Sequence, residues 1–313
     1  MLNYLDMKRL KSYIKNILFT GGGGIGNELI WKTLKKKYNV YFCDMNIDNV
    51  NIKIPKKNIL KVPAVKNKKY IKSIKKICDK YNIDIIVPGI DEELKKFKKN
   101  ENLFKRVFLP SIDLIKKCND KWLFYQECKK NKINVPTTSL AKKFQIQKHK
   151  NSVILKPRFG RGSQGIIYCK NQKIAKAHLK ILNMENKLNN YIIQDYVKGN
   201  EFTVTQYFDK KSYLYQLLVH VKKGVTIRAS ATNDINVNHF CKKISEVYEH
   251  EKIYNIQLIK TKKKCTLIEI NPRISTTFCF FLANGFDPFQ NRLILRRKLK
   301  FNFLNRQMSN ILK

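Results

Sequence analysis

The segment YNIQLIKTKKKCTLIEINPR, residues 254–273, predicts a β-hairpin that carries oxygen-bearing side chains on one face. Alternating apolar and polar residues on both sides of a lysine-rich turn are typical of two antiparallel strands. If the turn spans 262–264, Gln257 stands opposite Glu269. Asn271 lies on the same face because side chains alternate along a strand. Three such side chains suit a hard cation such as Mg²⁺ when phosphate supplies its other ligands.

The residues around these candidate ligands favour a cleft over a solvated sheet face. Leu258, Ile268 and Ile270 alternate with the polar residues, as expected when the polar face closes a cleft and the apolar face is buried. Arg273 follows a rigid proline, from which its guanidinium could reach a phosphoryl or carboxylate group. A charged strand exposed to solvent is the alternative, and it fits this alternation poorly.

A glycine-rich loop lies within VILKPRFGRGSQGIIYC, residues 153–169. A predicted strand delivers Lys156 to the start of this loop. The loop contains Gly160, Gly162, Ser163 and Gly165. Glycines let successive backbone N–H groups turn toward an anion, and a lysine adds a point charge for phosphate. A hairpin turn with incidental basic residues is the alternative, but it explains neither the lysine nor the length of the loop.

The segment YIIQDYVKGNEFTV, residues 191–204, predicts an apolar strand that runs into a polar hinge. The backbone of the hinge could pair with a flat base. Glu201 lies just beyond a glycine, where its carboxylate could accept hydrogen bonds from ribose hydroxyls. In isolation the segment is only a strand pair joined at Gly199, and it gains meaning from its position after the glycine-rich loop.

The first part of the chain carries GGGGIG at 21–26 within a predicted strand, turn, helix and strand. With Asp44 at the end of the next strand, this pattern is the dinucleotide fingerprint, which alone favours an NAD-dependent enzyme. A Tyr-x-x-x-Lys pattern of the short-chain dehydrogenase type also occurs at Tyr125 and Lys129, but so short a pattern recurs by chance. A tight turn in a nucleotide-type fold that binds no dinucleotide is at least as good an interpretation.

The order of predicted elements indicates an α/β architecture. A helix at 70–81 feeds an apolar strand at 83–89, so the first ~110 residues predict a small doubly wound parallel sheet. Two helices follow, the first capped by Ser111 and the second by Asn119 or Asp120. From residue 151 the chain becomes mostly strand-like, with helical stretches near 171–188 and 238–250.

Taken together, these segments resemble the ATP-grasp superfamily, most closely its carbamoyl-phosphate synthase-like and amino-acid ligase branch. The resemblance covers almost the whole chain and is carried by the order and spacing of IIVPGIDEE, CNDKWLFYQECKKNKINVPTT, LKPRFGRGSQGI, IIQDYVKGNEFTV and IEINPR. It implies an α/β fold with an α+β C-terminal part. The implied units are a Rossmann-like pre-ATP-grasp domain at 1–110, a central and lid subdomain with the phosphate loop at 111–195, and a C-terminal subdomain with the metal site at 196–313. The two ATP-grasp subdomains would clamp ATP, and the first domain would help to bind the acceptor or carboxylate substrate, with no NAD.

Residue by residue, the resemblance implies roles in binding ATP, in holding metal and in catalysis. Adenine would be read by Gln194 and the backbone of Val197, the ribose by Glu201, and the phosphates by Lys121, Lys156 and the lid residues Ser163 and Gly165. Two Mg²⁺ ions, or Mn²⁺, would be bound by Gln257, Glu269 and Asn271. Arg273 and Lys156 would stabilise the transferred phosphoryl group, so catalysis would consist of charge neutralisation and positioning.

The resemblance implies an ATP- and Mg²⁺-dependent ligase that activates a carboxylate as an acyl phosphate and passes the acyl group to an amine. Its substrates would be a small-molecule carboxylate and an amine, such as a small amino acid or a sugar-linked acid. Two alternatives stay open, namely carbamoyl-phosphate synthase-like phosphorylation of a carboxylate or carbamate without ligation, and a non-catalytic nucleotide-binding module. After Asn-Pro-Arg the family commonly continues with serine, glycine and threonine, whereas residues 274–288 read ISTTFCFFLANGFDP, so we expect an altered acceptor pocket.

Composition adds expectations about partners and location. The 64 basic and 23 acidic residues give a formal net charge of +41, but only ten of the basic residues are Arg, and the lysines are spread over nearly every predicted surface helix. Such a surface is typical of a lysine-, asparagine- and isoleucine-rich coding bias, so we expect no specific nucleic-acid site. Apolar runs are too short for a membrane span, and the eight scattered cysteines suggest reduced thiols. We therefore expect a cytoplasmic protein with no membrane partner, and a homodimer is compatible with the sequence.

Overall fold

The computed structural model describes residues 14–149, 151–160, 162, 164–208, 214–222, 228–248, 253–283 and 285–289. Within these residues, no helix combines the length and the apolar character that crossing a membrane requires.

The first unit is a parallel sheet flanked by helices. Its strands are β1 (Asn16–Thr20), β2 (Asn39–Asp44), β3 (Ile59–Lys61) and β4 (Ile85–Val87), in the spatial order β3-β2-β1-β4. Its helices are α1 (Asn27–Leu34), α2 (Tyr70–Lys80) and α3 (Asp91–Lys99). Every strand pair in this sheet is parallel, which confirms the predicted architecture and places the carboxyl ends of all four strands at one edge.

Two capped helices follow, α4 (Ile112–Asn119) and α5 (Lys121–Lys130). The hydroxyl of Ser111 accepts from the Leu114 N–H at 3.1 Å, as predicted. Of the two candidates for the cap of α5, Asn119 and Asp120, it is Asp120 that accepts from the Trp122 N–H, at 3.0 Å. The same carboxylate accepts two hydrogen bonds from the Arg158 guanidinium, at 2.8 and 2.7 Å. The start of α5 is therefore tied to the base of the glycine-rich loop.

Two antiparallel sheets make up the rest. The four-stranded sheet contains β5 (Thr138–Leu140), β6 (Val153–Pro157), β7 (Ile167–Cys169) and β8 (Tyr191–Asp195), ordered β5-β8-β6-β7, with α6 (Gln172–Met184) against it. The five-stranded sheet contains β9 (Asn200–Phe208), β10 (Leu214–Lys222), β11 (Arg228–Thr232), β12 (Ile253–Lys260) and β13 (Cys265–Asn271), ordered β11-β10-β9-β12-β13. The remaining helices are α7 (Ile235–Val247) and α8 (Phe278–Ala283).

Two stretches of the chain pack into hydrophobic cores whose other residues are distant from them in sequence. Leu114 and Phe124, on α4 and α5, join the core beneath the five-stranded sheet. Phe281 and Phe289 pack with Phe19 in the core of the first unit. The division of the chain at residues 110 and 195 stays a prediction.

Candidate active site

The β12–β13 hairpin turns more tightly than the sequence predicts. The Thr261 N–H donates to the Lys264 carbonyl at 2.9 Å, so only Lys262 and Lys263 form the loop. The predicted turn is therefore one residue too long. With this shorter loop alone, Gln257 would stand opposite the wrong residue of β13.

A β-bulge corrects this register. Leu258 pairs with Leu267, whereas Gln257 pairs with Glu269, and the register shifts between them. Ile268 is the additional residue on β13, and its side chain lines a narrow cavity beside the sheet. The predicted pairing of Gln257 with Glu269 is thus confirmed, because the bulge adds the residue that the loop lacks.

The three candidate metal ligands share one polar face. Asn271 lies two residues from Glu269, with its Nδ2 atom 3.4 Å from Oε1 of that carboxylate. All three side chains are half-buried. Within the described part of the chain, no group of three or more His, Cys, Asp or Glu side chains could hold a metal. One carboxylate and two amides fit a hard cation only if phosphate oxygens complete its shell, so the residues suit a metal–nucleotide site.

Two lysines converge on Glu269 from other elements. Lys156, at the end of β6, is only 8% exposed, and its Nζ donates to Oε1 of Gln194 at 2.7 Å. Lys121, the first residue of α5, donates from Nζ to the Gly160 carbonyl at 2.8 Å. Burial lowers the pKa of both lysines, and the nearby Glu269 carboxylate opposes that shift.

These side chains line a narrow cavity of about 10 Å³ between the two antiparallel sheets. Its lining consists of Lys121, Phe124, Tyr125, Val135, Lys156, Ile192, Gln194, Ile268 and Glu269. Residues that the sequence assigned separately to adenine, phosphate and metal therefore meet in space. The apolar members Phe124, Ile192 and Ile268 were not predicted as site residues, because nothing in their local pattern distinguishes them from core residues.

The other residues predicted to bind the nucleotide follow Gln194 along the chain. Gln194 also donates from Nε2 to the Thr138 hydroxyl at 3.0 Å, which fixes its amide. Val197 lies in the connection from β8 to β9, and Glu201 is half-buried on β9. Burial, with Glu269 as the second cause, raises the pKa of Glu201.

Three described positions of the glycine-rich loop have backbone conformations that favour glycine. Gly165 has a φ of +70°, and an added Cβ would lie 2.9 Å from the Pro157 ring. Gly160 and Gly162 also have positive φ values. Ser163, predicted to belong to the lid, lies outside the described residues.

Arg273 is fixed by a contact that the sequence did not predict. Its Nε and Nη2 atoms donate to the two carboxylate oxygens of Asp91, at 2.8 and 2.7 Å. Its Nη1 atom donates to the Ile274 carbonyl at 2.8 Å. Asp91 is the first residue of α3 in the parallel-sheet unit. Its position shortly after the buried strand β4 and Gly89 is a signal that could have marked it, since such positions lie at the carboxyl edge of a parallel sheet.

Backbone N–H groups of the N-terminal glycine turn form hydrogen bonds with the end of β2. The Gly22 N–H donates to the Cys43 carbonyl and the Gly23 N–H to Oδ2 of Asp44, both at 3.0 Å. A Cβ on Gly26 would lie 2.4 Å from the Thr276 carbonyl, so the start of α1 is covered by that loop. The turn, the acid and the start of α1 are therefore held in place by contacts within the protein.

Two larger cavities lie on either side of Arg273 and Asp91. One, of about 690 Å³, lies at the carboxyl edge of the parallel sheet and is lined by the N-terminal glycine turn, Asp44, Lys66, Lys96 and residues 273–276. The other, of about 260 Å³, is lined by residues that include Asp91, Lys121, Glu269 and Asn271. The arrangement provides a place for a second substrate beside the nucleotide-type site.

Comparison with known proteins gives family matches over two regions. Residues 118–277 match the model of the ATP-grasp domain, and residues 17–112 match the PylC-like N-terminal domain. No curated protein matches the chain.

Solved structures share the fold at low sequence identity. L-amino acid ligase from Bacillus licheniformis superposes with a TM-score of 0.65 at 12% identity, covering 90% of this chain and 73% of the other. N5-carboxyaminoimidazole ribonucleotide synthetase from Thermotoga maritima gives 0.64 at 19%, covering 88% and 74%. A biotin carboxylase–β,γ-ATP complex from Campylobacter jejuni gives 0.66 at 16%, covering 88% and 69%. At these identities the likeness is one of fold.

Proposed function

Because the chain belongs to the ATP-grasp family, we propose that it is an ATP- and Mg²⁺-dependent ligase that joins a carboxylate to an amine through an acyl phosphate. The observation that carries the proposal is the convergence of Lys121, Lys156 and Gln194 with the Gln257–Glu269–Asn271 face. A non-catalytic nucleotide module would have no need of a half-buried oxygen face aimed at the phosphates.

The proposed roles follow from what each group can donate or accept. Lys121 and Lys156 bind phosphate oxygens, and Glu201 accepts from the ribose hydroxyls. Gln194 and the Val197 backbone recognise the adenine. Mg²⁺, in two ions or replaced by Mn²⁺, would neutralise charge on the phosphates while held by Gln257, Glu269 and Asn271.

The reaction consists of two displacements. The substrate carboxylate attacks the γ-phosphoryl group of ATP, and ADP leaves. The amine then attacks the carbonyl carbon of the acyl phosphate, inorganic phosphate leaves, and the amine loses a proton. Arg273 and Lys156 stabilise the charge that develops on the transferred phosphoryl group. The 690 Å³ cavity is large enough for a small acceptor such as an amino acid or a sugar-linked acid.

The cysteines support a cytoplasmic setting. None of the eight forms a disulfide, and seven of them are buried, as expected of a protein that keeps its thiols reduced.

The test is ADP release measured across a panel of carboxylates, each with and without amines. We expect one carboxylate–amine pair to stimulate ADP release and to give a product with a new C–N bond, detected by mass spectrometry. Stimulation by a carboxylate alone, with no ligated product, would favour phosphorylation without ligation. Tight ATP binding with no stimulated release by any pair would indicate a binding module and overturn the proposal.

Replacing Lys156 with alanine should chiefly weaken ATP binding. The ammonium is almost fully buried and hydrogen-bonded to Gln194, so its loss removes a phosphate-binding charge and also an anchor of the adenine site. We expect the apparent KM for ATP to rise about 10- to 100-fold, equivalent to ~1.4–2.8 kcal/mol, with a smaller change in KM for the acceptor. Lys173→Ala on α6, an exposed lysine, serves as control. An unchanged ATP dependence in Lys156→Ala would place the phosphate site elsewhere.

ATP affinity should also fall at acidic pH because of Glu201. Its pKa is raised by burial and by Glu269, so it becomes protonated at a higher pH than an exposed glutamate. The neutral acid is a poorer acceptor for two ribose hydroxyls. Calorimetric titration with a non-hydrolysable ATP analogue should show this loss as the pH falls through the raised pKa. In Glu201→Gln, affinity should be lower and this part of the pH dependence absent, and its persistence would rule out Glu201 as the cause.

A further inference from the structure

The ion pair between Arg273 and Asp91 joins parts of the molecule that are 182 residues apart in sequence. Both side chains are largely buried, with 14% and 15% of their side-chain surface exposed. The contact is bidentate, which fixes the plane of the guanidinium as well as its position. Asp91 is also the first residue of α3, and a helix N-terminus interacts favourably with a carboxylate.

The pair forms part of the wall between the two larger cavities. Arg273 lines the 690 Å³ cavity at the parallel sheet, where the acceptor is proposed to bind. Asp91 lines the 260 Å³ cavity together with Lys121, Glu269 and Asn271. The guanidinium therefore faces the proposed acceptor cavity, while its partner Asp91 faces the cavity that Glu269 and Asn271 also line.

The contact with Asp91 leaves Arg273 able to bind an oxyanion. A guanidinium has five N–H donors, and the contacts to Asp91 and to the Ile274 carbonyl use three of them. Two N–H groups, one on each terminal nitrogen, remain available in this geometry. The aspartate thus restricts the orientation of the arginine without occupying its whole donor fork.

We propose that Asp91 is a positioning residue. Through it, the N-terminal unit holds the Arg273 guanidinium between the 260 Å³ cavity beside Glu269 and the 690 Å³ cavity at the parallel sheet. The inference rests on the proposed function for the role of Arg273, and it adds that part of the catalytic geometry is supplied by α3. In this role Asp91 acts on the reaction through Arg273.

A double-mutant cycle tests this directly, using Asp91→Asn, Arg273→Ala and the two combined. We expect Asp91→Asn to lower kcat for substrate-stimulated ADP release about 10- to 100-fold, the cost of a misplaced catalytic group. Adding Asp91→Asn to Arg273→Ala should cause no further loss. Additive losses in the double variant, or wild-type kcat in Asp91→Asn, would overturn the proposal.

A second measurement needs no turnover. Titration calorimetry in Mg²⁺ gives the ratio of affinities for a non-hydrolysable ATP analogue and for ADP, which reports contacts to the γ-phosphate. We expect Asp91→Asn and Arg273→Ala each to lower this ratio, and the double variant to equal Arg273→Ala. If Asp91→Asn raises the affinity ratio by the same factor in the wild-type protein and in Arg273→Ala, the Asp91 charge acts independently of Arg273 and the proposal fails.

Matched variants separate positioning from stability and charge. Asp113→Asn also removes an aspartate from the first turn of a helix, where it pairs with Lys117 at 2.8 Å, but its side chain is 69% exposed, and we expect wild-type behaviour. Asp91→Glu keeps the charge and displaces the carboxylate, so its kcat should lie between those of wild type and Asp91→Asn at an unchanged melting temperature. If wild-type protein shows no stimulated ADP release, the proposed function fails, whereas the affinity ratio still decides the role of Asp91.

Discussion

Glu269→Gln should abolish substrate-stimulated ADP release while the protein stays folded. Glu269 is the one carboxylate in the proposed metal-binding set, and its charge acts on both Lys121 and Lys156. The amide keeps the shape of the side chain, but it neutralises the charge that would hold a divalent cation and leaves the two lysines without their shared counter-charge. We expect a loss of at least ~10²–10³-fold in kcat, comparable to the removal of a principal electrostatic contact.

The measurement is ADP release at saturating ATP, accompanied by circular dichroism and a melting curve. Glu185→Gln is the matched control, because Glu185 is an exposed glutamate that pairs with Lys187 at 2.9 Å. The control should behave as wild type. Activity near the wild-type level in Glu269→Gln would contradict the metal assignment, and a collapsed melting curve would mean that the residue is needed for folding.

Glu93→Ala should cause the largest loss of stability. Glu93 is fully buried, and its carboxylate accepts hydrogen bonds from the hydroxyls of Thr20 and Tyr70. It also accepts from the Gly89 and Ile90 N–H groups, both at 3.0 Å. These donors come from the end of β1, the start of α2 and the turn after β4, so one side chain holds three segments at the carboxyl edge of the sheet.

Alanine would leave the buried hydroxyls of Thr20 and Tyr70 and the half-buried Ile90 N–H without this acceptor and would open a small cavity, whereas the Gly89 N–H would keep its hydrogen bond to the Thr20 hydroxyl. Each buried donor left without an acceptor typically costs about 1–3 kcal/mol, and because more than one donor is affected we expect a loss of about 3–5 kcal/mol in urea unfolding. Glu92→Ala, at the neighbouring exposed position, should lose less than about 0.5 kcal/mol. An equal small loss in both variants would show that the network contributes little.

Local patterns in the sequence were sufficient to predict most of the secondary structure. The β1–α1–β2 unit, the caps at Ser111 and Asp120 and the long antiparallel strands depend on residue alternation and capping chemistry within short windows. Strands β3, β5 and β11 were not predicted. β3 and β5 have three residues each, too few to establish an alternation.

The candidate site shows where such patterns cease to be sufficient. The pairing of Gln257 with Glu269 was predicted correctly from a turn that was one residue too long, because the bulge at Ile268 compensates. Whether a hairpin contains a bulge depends on packing against neighbouring elements. The contact between Asp91 and Arg273 was missed for a similar reason, since residues 182 apart meet only through the arrangement of the whole fold.

The aromatic residues that follow the β12–β13 hairpin determine when the core of the parallel-sheet unit can close during translation. Phe281, Phe286 and Phe289 belong to the same buried cluster as Phe19 and Phe42, so the parallel sheet lacks part of its hydrophobic interior until residues 281–289 have been synthesised. A nascent chain paused after the parallel sheet would expose this apolar surface for that interval. We therefore expect the first unit expressed alone to aggregate and to give poor yields.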